Sequence, residues 1–439
     1  GVNSSDVEVN IKIALAAAMR TGRLTRPARN KLLAEMTDEV AALVLANNYQ
    51  QTLALSLARR RGLADLAHQE RFMQALEARG LLDRTVEALP SSAAVAERQL
   101  RGEPLTRAEL GVLLAYAKLT LFDDVVATAL PDDPHFEADL FAYFPARMAK
   151  KYAGEIRGHR LRREIVATQL ANDAVNRGGP SFIARMQDLT GRSAAEAVAA
   201  YAVVRDGFEL PALYAEIDAL DTKIDGDAQL ELYQSVGRLV HAATAWLLKN
   251  DDAAAPLGQR IAALREARRT LEGRLPAMLP SFISGRLEER THELFKAGAP
   301  EALAHKVAFL WVAESIPDMM CVAAETGGDL VKAARAFLAV TKAFRIGRIN
   351  EAARALAPGD YYDGLALSRA LETIGAARRG IAAAALDRHG GEADPVAAWL
   401  EAGGTRVART RERLQALTEG GELTVSRLTV AAGLMTDLG

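Results

Sequence analysis

From Gln229 to Leu275 the large apolar residues return at steps of three and four, and this rhythm constrains the fold more tightly than anything else in the chain. Tyr233, Val236, Val240, Ala243 and Leu247 mark a first arm. Leu257, Ile261, Leu264, Leu271 and Leu275 mark a second, with Arg268 filling the missing step. Such spacing gives an α-helix one apolar face, whereas a half-buried strand needs strict alternation. A turn-rich stretch from Asn250 to Pro256 separates the arms, so the pattern predicts a long antiparallel helical hairpin.

The same rhythm recurs elsewhere. Leu32, Leu33, Met36, Val40, Leu43 and Val44 mark one face of a helix beginning near Pro27, a residue suited to a first turn. Thr106 and Glu109 form a capping box ahead of the stripe Leu110, Leu113, Leu114, Ala117 and Leu121. Ser193 with Glu196 repeats the box, and Asp394-Pro395 supplies an N-cap and first-turn proline before Trp399. Aromatics make up only 5% of the residues, while the helix formers Ala, Leu, Arg and Glu abound, which removes the usual material of strands. The expected class is all-α, a multi-helix bundle or array with short loops. No fixed period repeats, so a regular solenoid is disfavoured. The breaks at Leu130 to His135, Arg177 to Pro180 and Leu386 to Pro395 are too short for flexible interdomain linkers.

Several function classes drop out. With 54 basic against 56 acidic side chains, no global field attracts nucleic acid or an anionic membrane. The lone Cys321 excludes an internal disulfide framework and multi-cysteine zinc sites. Among Met319, Met320 and Val322 it reads as a small buried apolar group, and a reducing cytoplasm fits. No uncharged apolar run approaches the roughly 20 residues that span a bilayer. Neither G-x-G-x-x-G nor G-x-x-x-x-G-K-[ST] occurs, so no cofactor-binding or catalytic residue is assigned within the chain. Asp221, Asp225 and Gly226 imitate a calcium loop, but Lys223 and Leu232 stand where oxygen ligands are needed. A helix-terminal turn is the better reading. His292-Glu293 lacks the second histidine of a zinc helix, and no metal is expected.

Two polar clusters keep two readings each. Lys150, Lys151, Arg157, His159, Arg160, Arg162 and Arg163 offer positive charge to a phosphate or an acidic partner. The interspersed Glu155 and Glu164 favour an ordinary solvated helix face, and no flanking aromatic platform supports nucleic-acid stacking. Asn47-Asn48-Tyr49-Gln50-Gln51 reads either as a hydrogen-bonded amide network or subunit contact, or as a helix break with its amides in water.

Several longer strings are more specific. These are Gly1-Val-Asn-Ser-Ser-Asp-Val-Glu-Val-Asn-Ile-Lys-Ile13, Met36-Thr-Asp-Glu-Val40, Asn47-Asn-Tyr-Gln-Gln-Thr-Leu-Ala-Leu-Ser56, Pro104-Leu-Thr-Arg-Ala-Glu-Leu110, Leu130-Pro-Asp-Asp-Pro134, Tyr143-Phe-Pro145 and His159-Arg-Leu-Arg-Arg-Glu-Ile165. Together they resemble the C-terminal region of the large bacterial NAD-specific glutamate dehydrogenases, strongly over about residues 1 to 250 and more loosely beyond. The resemblance implies oxidative deamination of L-glutamate to 2-oxoglutarate with hydride passing to NAD. It places the nucleotide fold and the catalytic lysine and aspartate upstream of Gly1. The chain opens at Gly1 rather than at a methionine, which fits a trimmed chain or a piece of a longer polypeptide.

On this resemblance residues 1–20 are the trailing edge of the upstream catalytic domain. Residues 21–439 are a helical C-terminal region with a sub-boundary near 130–135. Expected partners are that upstream domain and further copies of the chain, not nucleic acid or membrane. Smaller glutamate dehydrogenases carry Gly-Gly-Val-Thr-Val-Ser, whose serine hydrogen-bonds the substrate's side-chain carboxylate. Ser5 stands in register with that serine, although Asn3 and Ser4 replace its Thr and Val. The rival reading makes Ser5 or Asp6 the cap of a helix starting near Val7. The rival function is a free-standing helical interaction scaffold.

Overall fold

A computed structural model describes residues 2–356, 361–419 and 422–438. Among them are 24 α-helices, three short 3-10 turns and no strand, as the composition predicts. The chain divides into two compact units, one of residues 1–203 and 247–259, the other of residues 204–246 and 260–439.

The first unit opens with α1 (Val2–Arg20), α2 (Arg26–Glu35), α3 (Thr37–Arg61), α4 (Leu63–Ala78), α5 (Ser92–Arg101) and α6 (Arg107–Val126). It continues through α7 (Glu137–Ala142), α8 (Ala146–Lys151), α9 (Ala153–Arg157), α10 (Arg162–Gly178), α11 (Phe182–Thr190) and the start of α12 (Ala194–Gly207). Its core forms where α6, α10 and the second half of α3 pack together. Leu113 and Leu121 of α6, Val166 and Leu170 of α10, and Ala54 and Ala58 of α3 are all buried there. Each fully buried leucine or valine contributes roughly 1.5–3 kcal/mol of transfer free energy, so this three-helix contact dominates the unit. The capping box at Thr106 is complete, with Glu109 N donating to Thr106 Oγ1 and Thr106 N to Glu109 Oε2. The box at Ser193 and Glu196 closes in the same way. The stretch 130–136 folds as two 3-10 turns inside this unit.

The face that runs from Leu32 to Val44 departs from the single helix expected. It breaks at Met36, which is fully buried and ends α2 with its N–H turned to the carbonyls of Leu32 and Leu33. Thr37 Oγ1 bonds back to the carbonyls of Leu33 and Ala34, a local alternative to continuing the ladder. Conversely, α3 passes unbroken through Asn47 to Gln51, and none of those amides is buried. Neither a helix break nor a buried amide network forms there.

The second unit holds α13 (Leu210–Asp218), most of α14 (Gly226–Asn250) and α15 (Leu257–Glu272), α16 (Ser281–Lys296), α17 (Glu301–Ala313), α18 (Ile316–Glu325) and α19 (Leu330–Ala343). After them come α20 (Ile346–Arg354), α21 (Tyr361–His389), α22 (Pro395–Ala402), α23 (Gly404–Glu419) and α24 (Val425–Thr436). The axis is α21, packed on α24, α19, α22 and α18. Its Ala370, Ala382 and Ala385 are buried beside Ile374 and Ile381, so alanine lets neighbouring helices approach closely. Asp394 caps α22 as expected, accepting from Val396 N and Ala397 N. Cys321 is half-buried on α18 rather than enclosed, whereas Met319 and Val322 are buried. Among the described residues no single helix is long and apolar enough to cross a membrane.

The α14 and α15 helices break where the turn composition places the break, but each stripe finds its own partners. Tyr233 of α14 stacks on Tyr214 of α13, and Gln229 Nε2 donates to the Ile217 carbonyl at 3.0 Å. On α15, Leu264 closes on Gly207, while Arg265 donates to the Asp206 carbonyl. Contacts between the two stripes, which the expected hairpin requires, are not among these. Between α12 and α13, Glu209 takes a left-handed conformation with φ of 55°. Its carboxylate is gripped by Arg268 and Arg269 of α15, both at 2.5 Å. Asp225 Oδ1 accepts from Asp227 N and Ala228 N, so the calcium-like string is the cap of α14.

Candidate functional site

Ser5 lies within α1, which already runs from Val2, so neither Ser5 nor Asp6 caps a helix starting near Val7. Gly1 lies outside the described residues. Ser5 is exposed, and one turn along the same face Val9 is 52% exposed. The opposite face, with Val7, Asn10, Ile11, Ala14, Leu15 and Ala18, is buried. This amphipathic division fixes the roll of α1 and with it the outward direction of Ser5.

The buried face is anchored by residues distant in sequence. Asn10 Nδ2 donates to the Tyr143 hydroxyl at 2.9 Å and to the Asp6 carbonyl at 3.1 Å. His159 Nε2 lies 3.1 Å from the Asn10 carbonyl, and His159 Nδ1 accepts from Leu161 N at 3.0 Å. An accepting Nδ1 leaves the proton on Nε2, so the ring is neutral and donates to Asn10. Burial pushes the His159 pKa down, consistent with that tautomer. Its inclusion in a cationic surface cluster is therefore corrected. Just past α1, Arg23 Nη1 pairs with the buried Glu155 at 2.6 Å. Arg147 of α8 reaches Glu35 of α2 and Glu39 of α3 at 2.9 and 3.2 Å. Strings that lie more than a hundred residues apart in the sequence thus meet around α1.

Three of the six remaining basic residues of the cluster are neutralised locally. Arg157 pairs with Glu137, and Arg162 and Arg163 share Asp132. Arg163 Nη2 also donates to the carbonyls of Val126 and Thr128 at 2.9 and 2.8 Å, stitching the end of α6 to α10. The acids that pair with these arginines, Glu137 and Asp132, lie outside the cluster rather than being the interspersed Glu155 and Glu164.

A second polar joint ties α3 to α10 and α11. Arg61 Nε pairs with the buried Asp65 at 2.6 Å, and its Nη2 donates to the Gly178 carbonyl at 3.2 Å. Arg185 Nη1 lies 3.9 Å from the other Asp65 oxygen. Burial, aided by the charge of Arg185, pushes the neighbouring His68 down to about 4, so it stays neutral here. The guanidinium reaches Gly178 only because Gly179 has no side chain. A Cβ there would lie 2.1 Å from Arg61 Nη2, and Gly179 has φ of 102°. Gly179→Ala is accordingly expected to cost about 1–3 kcal/mol in thermal unfolding. Gly191→Ala, also at positive φ but with nothing within 4 Å, serves as the control and should cost less. Equal losses in the two variants would refute the steric part of this account.

Among the described residues no group of three or more His, Cys, Asp or Glu side chains is placed to hold a metal ion. The strand–glycine turn–helix that cradles a dinucleotide pyrophosphate is not formed by them either, since they contain no strand.

The family model described as bacterial NAD-glutamate dehydrogenase, catalytic domain, matches residues 1–58, and the model described as glutamate dehydrogenase, C-terminal, matches residues 102–437. A relative named NAD-specific glutamate dehydrogenase from Pseudomonas aeruginosa is 43% identical over 78% of this chain and 21% of its own length. Proteins of the same name from Halomonas elongata and Mycobacterium tuberculosis are 40% and 31% identical, over 70% and 98% of this chain. The chain spans 19% and 27% of those two relatives, about a fifth to a quarter of the curated proteins it matches. Matched by the C-terminal model over most of its residues, the chain belongs to the glutamate dehydrogenase family, as a C-terminal part of its NAD-specific members.

Proposed function

We propose that this chain serves within a longer NAD-dependent glutamate dehydrogenase that converts L-glutamate, NAD and water to 2-oxoglutarate, ammonium and NADH. The observation that carries this reading is the catalytic-domain match over residues 1–58. It covers α1, whose exposed Ser5 lies on the face turned away from the core of the first unit. In this reading the Ser5 hydroxyl donates a hydrogen bond to the side-chain carboxylate of glutamate. NAD binds the preceding part of the polypeptide. Residues 21–439 hold α1 in place and contribute contacts between copies in a cytoplasmic homo-oligomer.

In the full-length enzyme Ser5→Ala is expected to lower kcat/KM for glutamate at least tenfold and to leave NAD affinity unchanged. Loss of a hydrogen bond to a charged group costs about 1.5–3 kcal/mol, which sets that size. Steady-state kinetics with each substrate varied separately will decide it. Unaltered glutamate kinetics would remove Ser5 from the site.

The 439-residue chain alone is expected to fold as a helical protein, neither binding NAD nor oxidising glutamate. Hydride transfer needs nicotinamide and substrate held in one preorganised site. Circular dichroism with NAD titration calorimetry tests both halves. Micromolar NAD binding or turnover by the chain alone would contradict the division of labour. A free-standing interaction scaffold is the rival, and it predicts no glutamate oxidation by any polypeptide that contains the chain.

A further inference from the structure

We propose that α2 and the first half of α3 form the seat on which the remainder of the catalytic domain packs. This rests on the reading that the chain is part of a longer glutamate dehydrogenase. Leu32, Leu33, Val40, Leu43, Val44 and Leu45 are large aliphatic side chains, and none of them is buried. Leu45 is 65% exposed. Helix α2 has no buried residue, and α3 has none before Leu53. A helix face that meets water normally carries charge. No charged residue occurs from Val40 to Ala58. From Val40 to Thr52 the surface of α3 is neither buried nor charged, and Leu32 and Leu33 are likewise unburied between the charged Lys31 and Glu35 of α2; so extended an apolar surface has the character of a contact surface.

Its occupant follows from domain continuity. The catalytic-domain model runs through this whole face to residue 58, while the matched relatives are nearly four times as long as the chain. The other elements of that domain therefore belong to the part of the polypeptide preceding α1. A single domain buries its own apolar faces against one another, so these helices face their own domain rather than water.

The test places the photo-crosslinker benzoylphenylalanine at position 45 of the full-length polypeptide. Irradiation is expected to join position 45 to a segment preceding Gly1 in the same chain, located by mass spectrometry of the monomer band. A crosslink to a second copy, seen as a dimer band, would overturn the proposal, and so would the absence of any crosslink. Glutamate oxidation by the unsubstituted polypeptide is measured in parallel. Activity without the intrachain crosslink defeats only the assignment of the surface, whereas no activity defeats the reading beneath it.

Discussion

Asp318→Ala is expected to destabilise the second unit by about 3–5 kcal/mol, the range for breaking a buried charge network by removing one partner. Asp318 Oδ1 accepts from Trp246 Nε1 at 2.9 Å and from Arg379 Nη1 at 2.5 Å, and Oδ2 accepts from Arg378 Nη2 at 3.1 Å. The Asp318 and Arg378 side chains are only 8% and 9% exposed. Burial already pushes the Arg378 pKa down, and its guanidinium lies 3.9 Å from the Phe337 ring centroid. Without the carboxylate, two cations stay in a low-dielectric interior that contacts with the Phe337 and Trp246 rings only partly relieve. The cluster joins α14, α18 and α21, so its loss reaches the axis of the unit. Denaturant unfolding followed by tryptophan fluorescence, to which Trp246, Trp311 and Trp399 all contribute, measures the loss. Asp318→Asn, which keeps an acceptor but not the charge, should fall between wild type and alanine. A loss below about 1 kcal/mol for Asp318→Ala would show that water reaches these arginines.

Lys118→Met should have the opposite sign. The Lys118 Nζ on α6 is buried and makes no hydrogen bond among the described residues, and burial lowers its pKa to about 8. A folded-state pKa below the unfolded value near 10.4 means that the unfolded chain holds its proton more tightly. Below pH 8 both states are protonated and the folded state bears the full cost of the buried charge. Between pH 8 and about 10.4 the folded state is neutral while the unfolded chain is still charged, so stability rises with pH through that window. Methionine removes the charge and keeps a flexible apolar stem. The expected gain is roughly 2–3 kcal/mol at pH 7, since each tenfold loss of proton affinity is worth about 1.4 kcal/mol, discounted here for partial exposure. Measured as the difference between variant and wild type, it should shrink steadily toward pH 10. A gain that does not change with pH would rule out the charge as its source.

What was legible in the sequence was local. Capping boxes at Thr106 and Ser193 and the cap at Asp394 reach no further than three residues along the chain, and all three form. Stripes such as Leu110 to Leu121 mark burial because their periodicity needs no knowledge of the partner. The partner itself was beyond reach. The expected hairpin has its break in the right place, yet α15 meets the corner at Asp206 to Glu209, which no spacing announces. The break at Met36 was hidden because an apolar stripe continues across it. Asn10 and His159 stand 149 residues apart, and His159 sits among arginines that gave it a cationic character it does not have. The exposure of Ser5 was equally invisible, since a motif gives register but not the direction in which a helix is rolled.

The corner at Glu209 has a consequence for the order in which the chain acquires its shape. A left-handed non-glycine residue costs roughly 1–2 kcal/mol, and the arginines that hold it lie 59 and 60 residues further along. Chains emerge from the ribosome N-terminus first, at about 5–20 residues per second. For several seconds after Glu209 is made, then, its latch does not yet exist. The turn from α12 into α13 becomes fixed only when α15 has been synthesised and has closed that long loop. The first unit draws residues 247–259 from the same late stretch. During synthesis both units therefore wait on a single passage of chain, and a pause in translation before residue 269 would hold the nascent protein with its central corner unset.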